Sequence, residues 1–185
     1  MSKRSPLIRQ GLPTDHEMLA ALAARTFSDA FTIDNRPEDI AAYVAQAFTP
    51  QQMLTELTQP ESVILLACDA ATPAAPALGY ARLVTNSDHP HLQGQQSLEL
   101  NRLYVEQEAI GRGYGAALMT ASLEVAIAHH CDTLWLGVWE HNTRAQKFYE
   151  RWGFKPVSTQ TFVLGEEVQT DWVMARPVNL PDEAL

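Results

Sequence analysis

Apolar residues recur at helical spacing early in the chain and crowd into strand-length runs in its middle. Leu19, Leu22, Ala23, Thr26, Phe27, Ala30 and Phe31 fall three or four apart, behind Thr14 and Glu17 at capping-box spacing. That pattern predicts a first amphipathic helix. Pro37, a good first-turn residue, opens a second with Ile40, Tyr43, Val44, Ala47 and Phe48 on one face. Met53, Leu54 and Leu57 make a short third that Pro60 stops. A strand over Leu7–Arg9 comes first. Ser62–Cys68, Leu78–Val84, Leu98–Val105 and Thr133–Trp139 follow as strands. A helix over about Gly115–His130 separates the last two, and strand–helix–strand order is the usual sign of parallel pairing. A helix over Thr143–Trp152 and a hairpin of Thr161–Leu164 with Asp171–Met174 complete the order, and the final NLPDEAL is expected to fray. The chain reads as α/β, with three helices early and a mixed sheet.

Within LELNRLYV the alternation slips: Leu98 and Leu100 share one face, whereas Leu103 and Val105 fall on the other. One extra residue near Asn101–Arg102, a β-bulge, repairs the phase and would splay this strand from Thr133–Trp139. An edge strand with Tyr104 on a mixed face accounts for the pattern equally well.

Length and composition narrow the class. With 185 residues, 46% apolar and 19% charged, the chain is expected to form one domain over residues 1–177, with 178–185 as a tail. At this size about 70% of the unfolded surface can be buried, so no disulfide or metal staple is needed. No apolar run approaches the roughly 20 residues of a membrane span. The opening MSKRSPLIRQGLPTD lacks the apolar stretch of a signal peptide. Cys68 and Cys131, far apart and without CxxC spacing, read as buried strand residues of a cytoplasmic protein. A net charge of −9 excludes a general nucleic-acid binder and suits attraction of a cation. His89 and His91 have no third ligand near in sequence and read as solvated loop histidines rather than a metal site.

The chemistry concentrates in EAIGRGYGAALM, at the centre of the strand–helix–strand unit. Gly111, Gly113 and Gly115 let the backbone turn and bring amides close to a ligand, and the following helix adds unpaired N–H groups. Such a turn suits a pyrophosphate. It is not a P-loop, because no Lys-Ser or Lys-Thr follows the glycines. The dinucleotide pattern is met formally by Gly111, Gly113 and Ala116. Gly111, however, lies six residues after Val105, and Glu140 is too distant to serve as the ribose-binding acid. A turn serving only tight packing is the third reading.

In LWLGVWEHNTRAQKFYERWGF, Asn142 is placed to cap a helix whose stripe is Ala145, Phe148, Tyr149 and Trp152. By spacing alone this is a capped amphipathic helix with an aromatic core face.

Taken together, LYV, the glycine turn six residues on, and N-x-x-A-x-x-F-Y-x-x-x-G-F resemble the GNAT superfamily of acyl-CoA N-acetyltransferases over about Leu98–Phe154. RTFSDAF, LGVWEHN and FVLGEEVQTDWVM are similar to a bacterial branch that includes polyamine acetyltransferases. The resemblance implies a mixed, mostly antiparallel sheet with a central bulged strand splayed from its parallel neighbour and helices on both faces. It implies acetyl-CoA as cosubstrate and no metal. Leu103, Tyr104 and Val105 would pair with pantetheine through their main chain. Ile110, Gly111, Arg112, Gly113, Tyr114, Gly115 and Ala116 would hold the pyrophosphate. Asn142 would bond the pantetheine arm, Tyr149 would be the general acid at sulfur, and Glu99 falls where some members keep a general base. Ile110 departs from the family's Gln or Arg at that position and costs a side-chain contact.

The expected activity is transfer of acetyl to a small primary amine, with polyamines favoured and Phe27, Phe31 and Tyr43 walling the amine pocket. Acetylation of a protein N-terminus, amino acid or other small amine is the alternative within the enzyme class. A non-catalytic acyl-CoA sensor is the alternative outside it. No nucleic acid or membrane is expected as partner, and the sequence does not fix the oligomeric state.

Overall fold

In the computed structural model, residues 6–31, 35–70, 76–87, 89–92, 96–165 and 167–178 are described. Strand β1 (Leu7–Gln10) pairs antiparallel with β2 (Ser62–Cys68), Leu7 opposite Cys68. The chain then enters α1 (His16–Phe31) through a 3-10 turn at Pro13–Asp15. The expected Thr14–Glu17 box does not form. Thr14 lies inside that turn, and Asp15 instead reaches back to accept the Leu12 amide at 2.7 Å. Arg9 grips the same carboxylate with two bonds of 2.7 and 2.8 Å, and this paired guanidinium holds Asp15 below the usual carboxylate pKa. A charged acceptor already fixed by Arg9 outcompetes a threonine hydroxyl.

Helices α2 (Pro37–Ala47) and α3 (Pro50–Thr58) follow, each with proline in its first turn. Thr49 caps α3 by accepting the Gln52 amide at 3.1 Å. Leu19, Leu22, Ala23, Ile40 and Met53, predicted to face inward, are all buried. Phe27 gathers Phe31, Tyr43 and Phe48 around it at ring distances of 4.5, 4.7 and 5.4 Å.

The remaining strands are β3 (Gly79–Thr85), β4 (Ser97–Val105), β5 (Thr133–Trp139), β6 (Lys155–Leu164) and β7 (Glu167–Pro177), with α4 (Tyr114–Ala128) and α5 (Thr143–Arg151) between. One seven-stranded sheet has the order β1-β2-β3-β4-β5-β7-β6. It is mixed and mostly antiparallel, with β4 and β5 as the parallel pair. That parallel register holds Ser97↔Thr133, Leu98↔Leu134 and Glu99↔Trp135 and ends there, just before the Asn101–Arg102 step where the sequence pattern slips. The expected splay of β4 from its parallel neighbour therefore has a defined starting point, Glu99.

The closing hairpin is longer than its apolar alternation suggested. Pairing runs from Lys155↔Ala175 to Leu164↔Glu167, with a register shift between Pro156 and Ser158. Polar residues such as Thr159, Gln160 and Thr170 join through backbone bonds, which an apolar pattern does not report. Cys68 is buried in β2 as expected, but Cys131 is half-exposed in the turn after α4 and is not a strand residue. The last seven residues lie outside those described.

The chain divides into two compact units. The first runs to Leu83 and resumes over Arg102–Ser122; the second takes Val84–Asn101 and the chain from Leu123 onward.

Candidate active site

In the first unit, the glycine turn is built as a ligand-facing loop. A 3-10 turn over Gln107–Ala109 follows β4, and Ile110 to Gly113 then lead exposed into α4. Gly111 and Gly113 adopt φ of +79° and +93°, backbone that only glycine takes without strain. A Cβ at either would meet nothing within 4 Å, so neither glycine is there for tight packing. Gly115 differs: it lies within α4 and has no left-handed backbone. The Ala117 amide is the first to bond back into the helix, to Gly113 O at 3.0 Å. The preceding amides at Tyr114, Gly115 and Ala116 are the helix's first-turn donors, with the dipole's positive end behind them. Such donors above an open loop can hold a phosphate. Arg112 stands over the Tyr114 ring at 5.6 Å and adds a cation beside them.

Immediately before this loop, Gly79 allows β3 to approach β4 closely, since a Cβ there would meet Tyr104 O at 2.9 Å. The Glu106 amide bonds to Leu78 O at 2.8 Å. By strand alternation Tyr104 directs its backbone to the β3 side too, and Leu103 and Val105 direct theirs to the opposite edge.

The same unit holds a cavity of about 330 Å³ lined by Tyr43, Gln46, Ala47, Gln52, Glu56 and Arg102. Its polar wall is an ion cluster. Arg102 forks onto Glu56 at 2.7 and 3.2 Å, and Arg82 approaches the same carboxylate at 3.5 Å. Glu56 is only 2% exposed. Arg102 also lies over the Phe48 ring at 5.0 Å. Of the three residues expected to wall an amine pocket, Tyr43 lines this cavity, whereas Phe27 and Phe31 stack behind it. Sequence reasoning missed Glu56 and Arg102. The signals were a carboxylate next to the apolar positions Met53 and Leu57, and an arginine inside an apolar strand.

In the second unit, Glu99 is half-buried and held at both oxygens. Ser87 Oγ donates to Oε2 at 2.6 Å, and Asn101 Nδ2 donates to Oε1 at 2.9 Å. The Ser87 carbonyl is itself fixed by Trp135 Nε1 at 3.2 Å and Ser97 Oγ at 3.3 Å. His89 is a loop residue as expected, though only half-exposed. Its ring lies 5.1 Å from Trp135 and 5.7 Å from His91. Burial, with His91 adding, pushes its pKa below the usual histidine value, against the Glu99 charge. Among the described residues no group of three His, Cys, Asp or Glu could hold a metal.

Asn142 caps α5, its Oδ1 accepting the Ala145 amide at 3.1 Å, which leaves the amide nitrogen as a donor. Gln146 pins the preceding corner by donating to the carbonyls of Trp139 and Glu140 at 3.0 and 2.8 Å. Tyr149 is 8% exposed, seated against Phe148 and Phe154. Burial raises its phenol above the ordinary value, so the hydroxyl stays protonated and keeps its proton available for donation. No hydrogen bond within the described residues occupies it. Also in this unit, Asp171 is pushed up to about 6 by burial, with a Gln160 hydrogen bond pulling down and the Glu140 charge pushing up. Both lie over Gly137, where a Cβ would meet Gln160 Nε2 at 2.6 Å.

The predicted residues thus fall into two groups. Leu103–Val105, Ile110–Ala116, Phe27, Phe31 and Tyr43 belong to the first unit, and Glu99, Asn142 and Tyr149 to the second.

Comparison with known proteins identifies the family. The profile of the acetyltransferase (GNAT) family matches residues 19–154. An uncharacterized N-acetyltransferase of Mycobacterium tuberculosis is 37% identical over 163 residues, covering 88% of this chain and 97% of the relative. Another, from Lactobacillus delbrueckii subsp. lactis, is 31% identical over 157 residues, 84% of this chain and 88% of its own. Among solved structures, PaiA N-acetyltransferase from Thermoplasma acidophilum in complex with coenzyme A has a TM-score of 0.76 at 20% identity, covering 94% of this chain and 99% of that one. A match over most of the chain, by profile and by relatives above 30% identity, makes it a member of the GNAT family of acetyltransferases.

Proposed function

We propose that this protein transfers acetyl from acetyl-CoA to a small primary amine by direct attack on the thioester, within one acetyltransferase domain over residues 1–177. The observation that carries this reading is the exposed Ile110–Gly113 loop, with left-handed Gly111 and Gly113, running into the first-turn amides of α4. Those amides suit a pyrophosphate and need no side chain, so Ile110 does not remove the cradle. Leu103 and Val105, beyond the last registered pair with β5, have backbone groups directed to the edge a pantetheine arm would need. The spare donor of Asn142 suits an amide of the same arm.

Acetyl-CoA supplies an activated acetyl group whose C–S bond breaks as the C–N bond forms. Glu99 accepts the proton that the amine must lose. An alkylammonium near pKa ~10.4 is mostly protonated at neutral pH, so attack comes from its neutral fraction, and the proton that nitrogen sheds as the C–N bond forms passes to Glu99 through water. Tyr149 hydrogen-bonds the developing thiolate. Because burial raises the phenol, it acts by donation first and releases its proton only late.

The polyamine expectation rests on the branch resemblance and on the net charge of −9, which draws polycations from a distance. A second reading, an amine bearing a carboxylate, is favoured by Arg102 in the wall of the cavity. No helix among the described residues is long and apolar enough to cross a membrane, and the two free thiols support a cytoplasmic setting. The test is thiol release from acetyl-CoA across spermidine, spermine, amino acids and short peptides. Release with any of them supports the enzyme, and acetyl-CoA binding without release over the whole panel assigns a sensor instead.

A further inference from the structure

We propose that the cavity at Arg102 takes the carboxylate of the acceptor, so that the substrate is an amino-acid-like amine rather than a polyamine. This rests on the acetyl-transfer reading above and decides its substrate class.

The argument is an inventory of charge and donors. Three formal charges meet here: Arg82 and Arg102, each with 15% of its side chain exposed, and Glu56 with 2%. Of these, Glu56 and Arg102 line the cavity, and Glu56 is already engaged by Arg102. A polycation entering the cavity would meet the Arg102 guanidinium in its wall.

Nor can Glu56 turn toward an ammonium group. Its Oε1 accepts Gln52 Nε2 and Arg102 Nη2, both at 3.2 Å. Its Oε2 accepts Arg102 Nη1 at 2.7 Å and lies 3.5 Å from Arg82. Three hydrogen bonds, two of them charge-assisted, and the nearby Arg82 cation hold the carboxylate in place. Arg102 is in the opposite state. A guanidinium has five N–H donors, and Arg102 spends two, on Glu56. The rest are uncommitted among the described residues, and the ring of Phe48 holds the group in place. The side-chain amides of Gln46 and Gln52 border the same space. A lining rich in donors, with a fixed planar fork, recognises a carboxylate.

Position and size agree. Arg102 directly precedes Leu103 on β4, so the cavity adjoins the strand assigned to the cofactor arm. About 330 Å³ is at the small end of ligand pockets, which suits a single amino acid rather than a folded protein terminus.

The experiment pairs each acceptor with a version lacking only its charge. Thiol release is measured for α-amino acids, β-alanine and 4-aminobutyrate, each beside its methyl ester, with putrescine and spermidine alongside. For the best acid we expect kcat/KM at least tenfold above its ester and above both polyamines. Arg102→Met, which leaves Glu56 paired with Arg82, should bring the acid-to-ester ratio close to one through KM. Arg102→Lys, keeping the charge and losing the fork, should fall between. Polyamines preferred over every acid, or a ratio unmoved in Arg102→Met with an unchanged melting profile, would overturn the inference while leaving acetyl transfer intact. Should Arg102→Met not fold, the ester comparison on the wild-type chain and Arg102→Lys decide. If no amine releases thiol, the transfer reading fails instead. Calorimetric titration of the same acid and ester pairs, with coenzyme A present, then settles the carboxylate site: tighter binding of an acid upholds it, and equal or absent binding refutes it.

Discussion

Ser87 Oγ donates a 2.6 Å hydrogen bond to Glu99 Oε2, and the Ser87 carbonyl is held in turn by Trp135 and Ser97. The carboxylate on β4 is therefore oriented by a residue twelve positions earlier in the chain. If Glu99 is the base, Ser87 is its positioning residue. Ser87→Ala should lower kcat about tenfold with KM little changed, since a hydrogen bond to a charged group contributes roughly 1.5–3 kcal/mol. Ser87→Thr, which keeps the hydroxyl, should restore most of the loss. Equal activity of the Ala and Thr variants would remove Ser87 from the mechanism.

Glu99→Gln separates proton acceptance from substrate binding. The variant should lose most turnover near neutral pH and recover part of it at higher pH, where more of the amine is already deprotonated. Steady-state rates from pH 7 to 10 read this directly. A loss of equal size across that range assigns Glu99 to binding.

Tyr149→Phe keeps the ring contacts with Phe148 and Phe154 and removes only a hydroxyl that has no partner in the described structure. The melting temperature and acetyl-CoA affinity should therefore hold, while turnover falls by about 10²–10⁴. Wild-type turnover at saturating acetyl-CoA would make Tyr149 a packing residue.

Gly113→Val tests the phosphate loop. At φ +93° with nothing within 4 Å of a Cβ, the substitution has room at its first carbon and bears the left-handed strain. That strain costs on the order of 1–3 kcal/mol, so the fold should survive. Calorimetry should show acetyl-CoA affinity reduced at least tenfold, because a branched side chain covers the amides. Undiminished affinity in a folded variant refutes the cradle.

Asp171 should leave a signature in stability. Its folded-state pKa, about 6, lies above the ordinary value of 3.8, so the folded chain binds the proton more tightly than the unfolded one. Stability must then fall as pH rises from about 4 through 6. Asp171→Asn should melt higher than wild type at pH 7–8, with the difference vanishing toward pH 4. A difference independent of pH would show that the carboxyl does not titrate in this window.

Much of this protein was determined locally, and the sequence carries local information well. Helical spacing behind Pro37 and Pro50, the runs Ser62–Cys68 and Thr133–Trp139, and the Asn142 cap each depend on residues within one or two turns of one another. The loop glycines were legible for the same reason, although only Gly111 and Gly113 use their freedom and Gly115 is simply helical. The reach of the closing hairpin was not legible, because its outer pairs are made by backbone groups that every residue possesses. Nor was the choice of Asp15 over Thr14, which Arg9 decides from the neighbouring strand. Glu56, Arg82 and Arg102 stand 26 and 20 residues apart in sequence, and each alone reads as an ordinary surface charge. Only the packing of α3 against the sheet strands of the first unit makes them one buried cluster, engaging Glu56 while leaving Arg102 donors to spare. Net charge, a sum over the chain, cannot report a guanidinium held in a cavity wall, because the field inside a cavity is set by the few groups that line it.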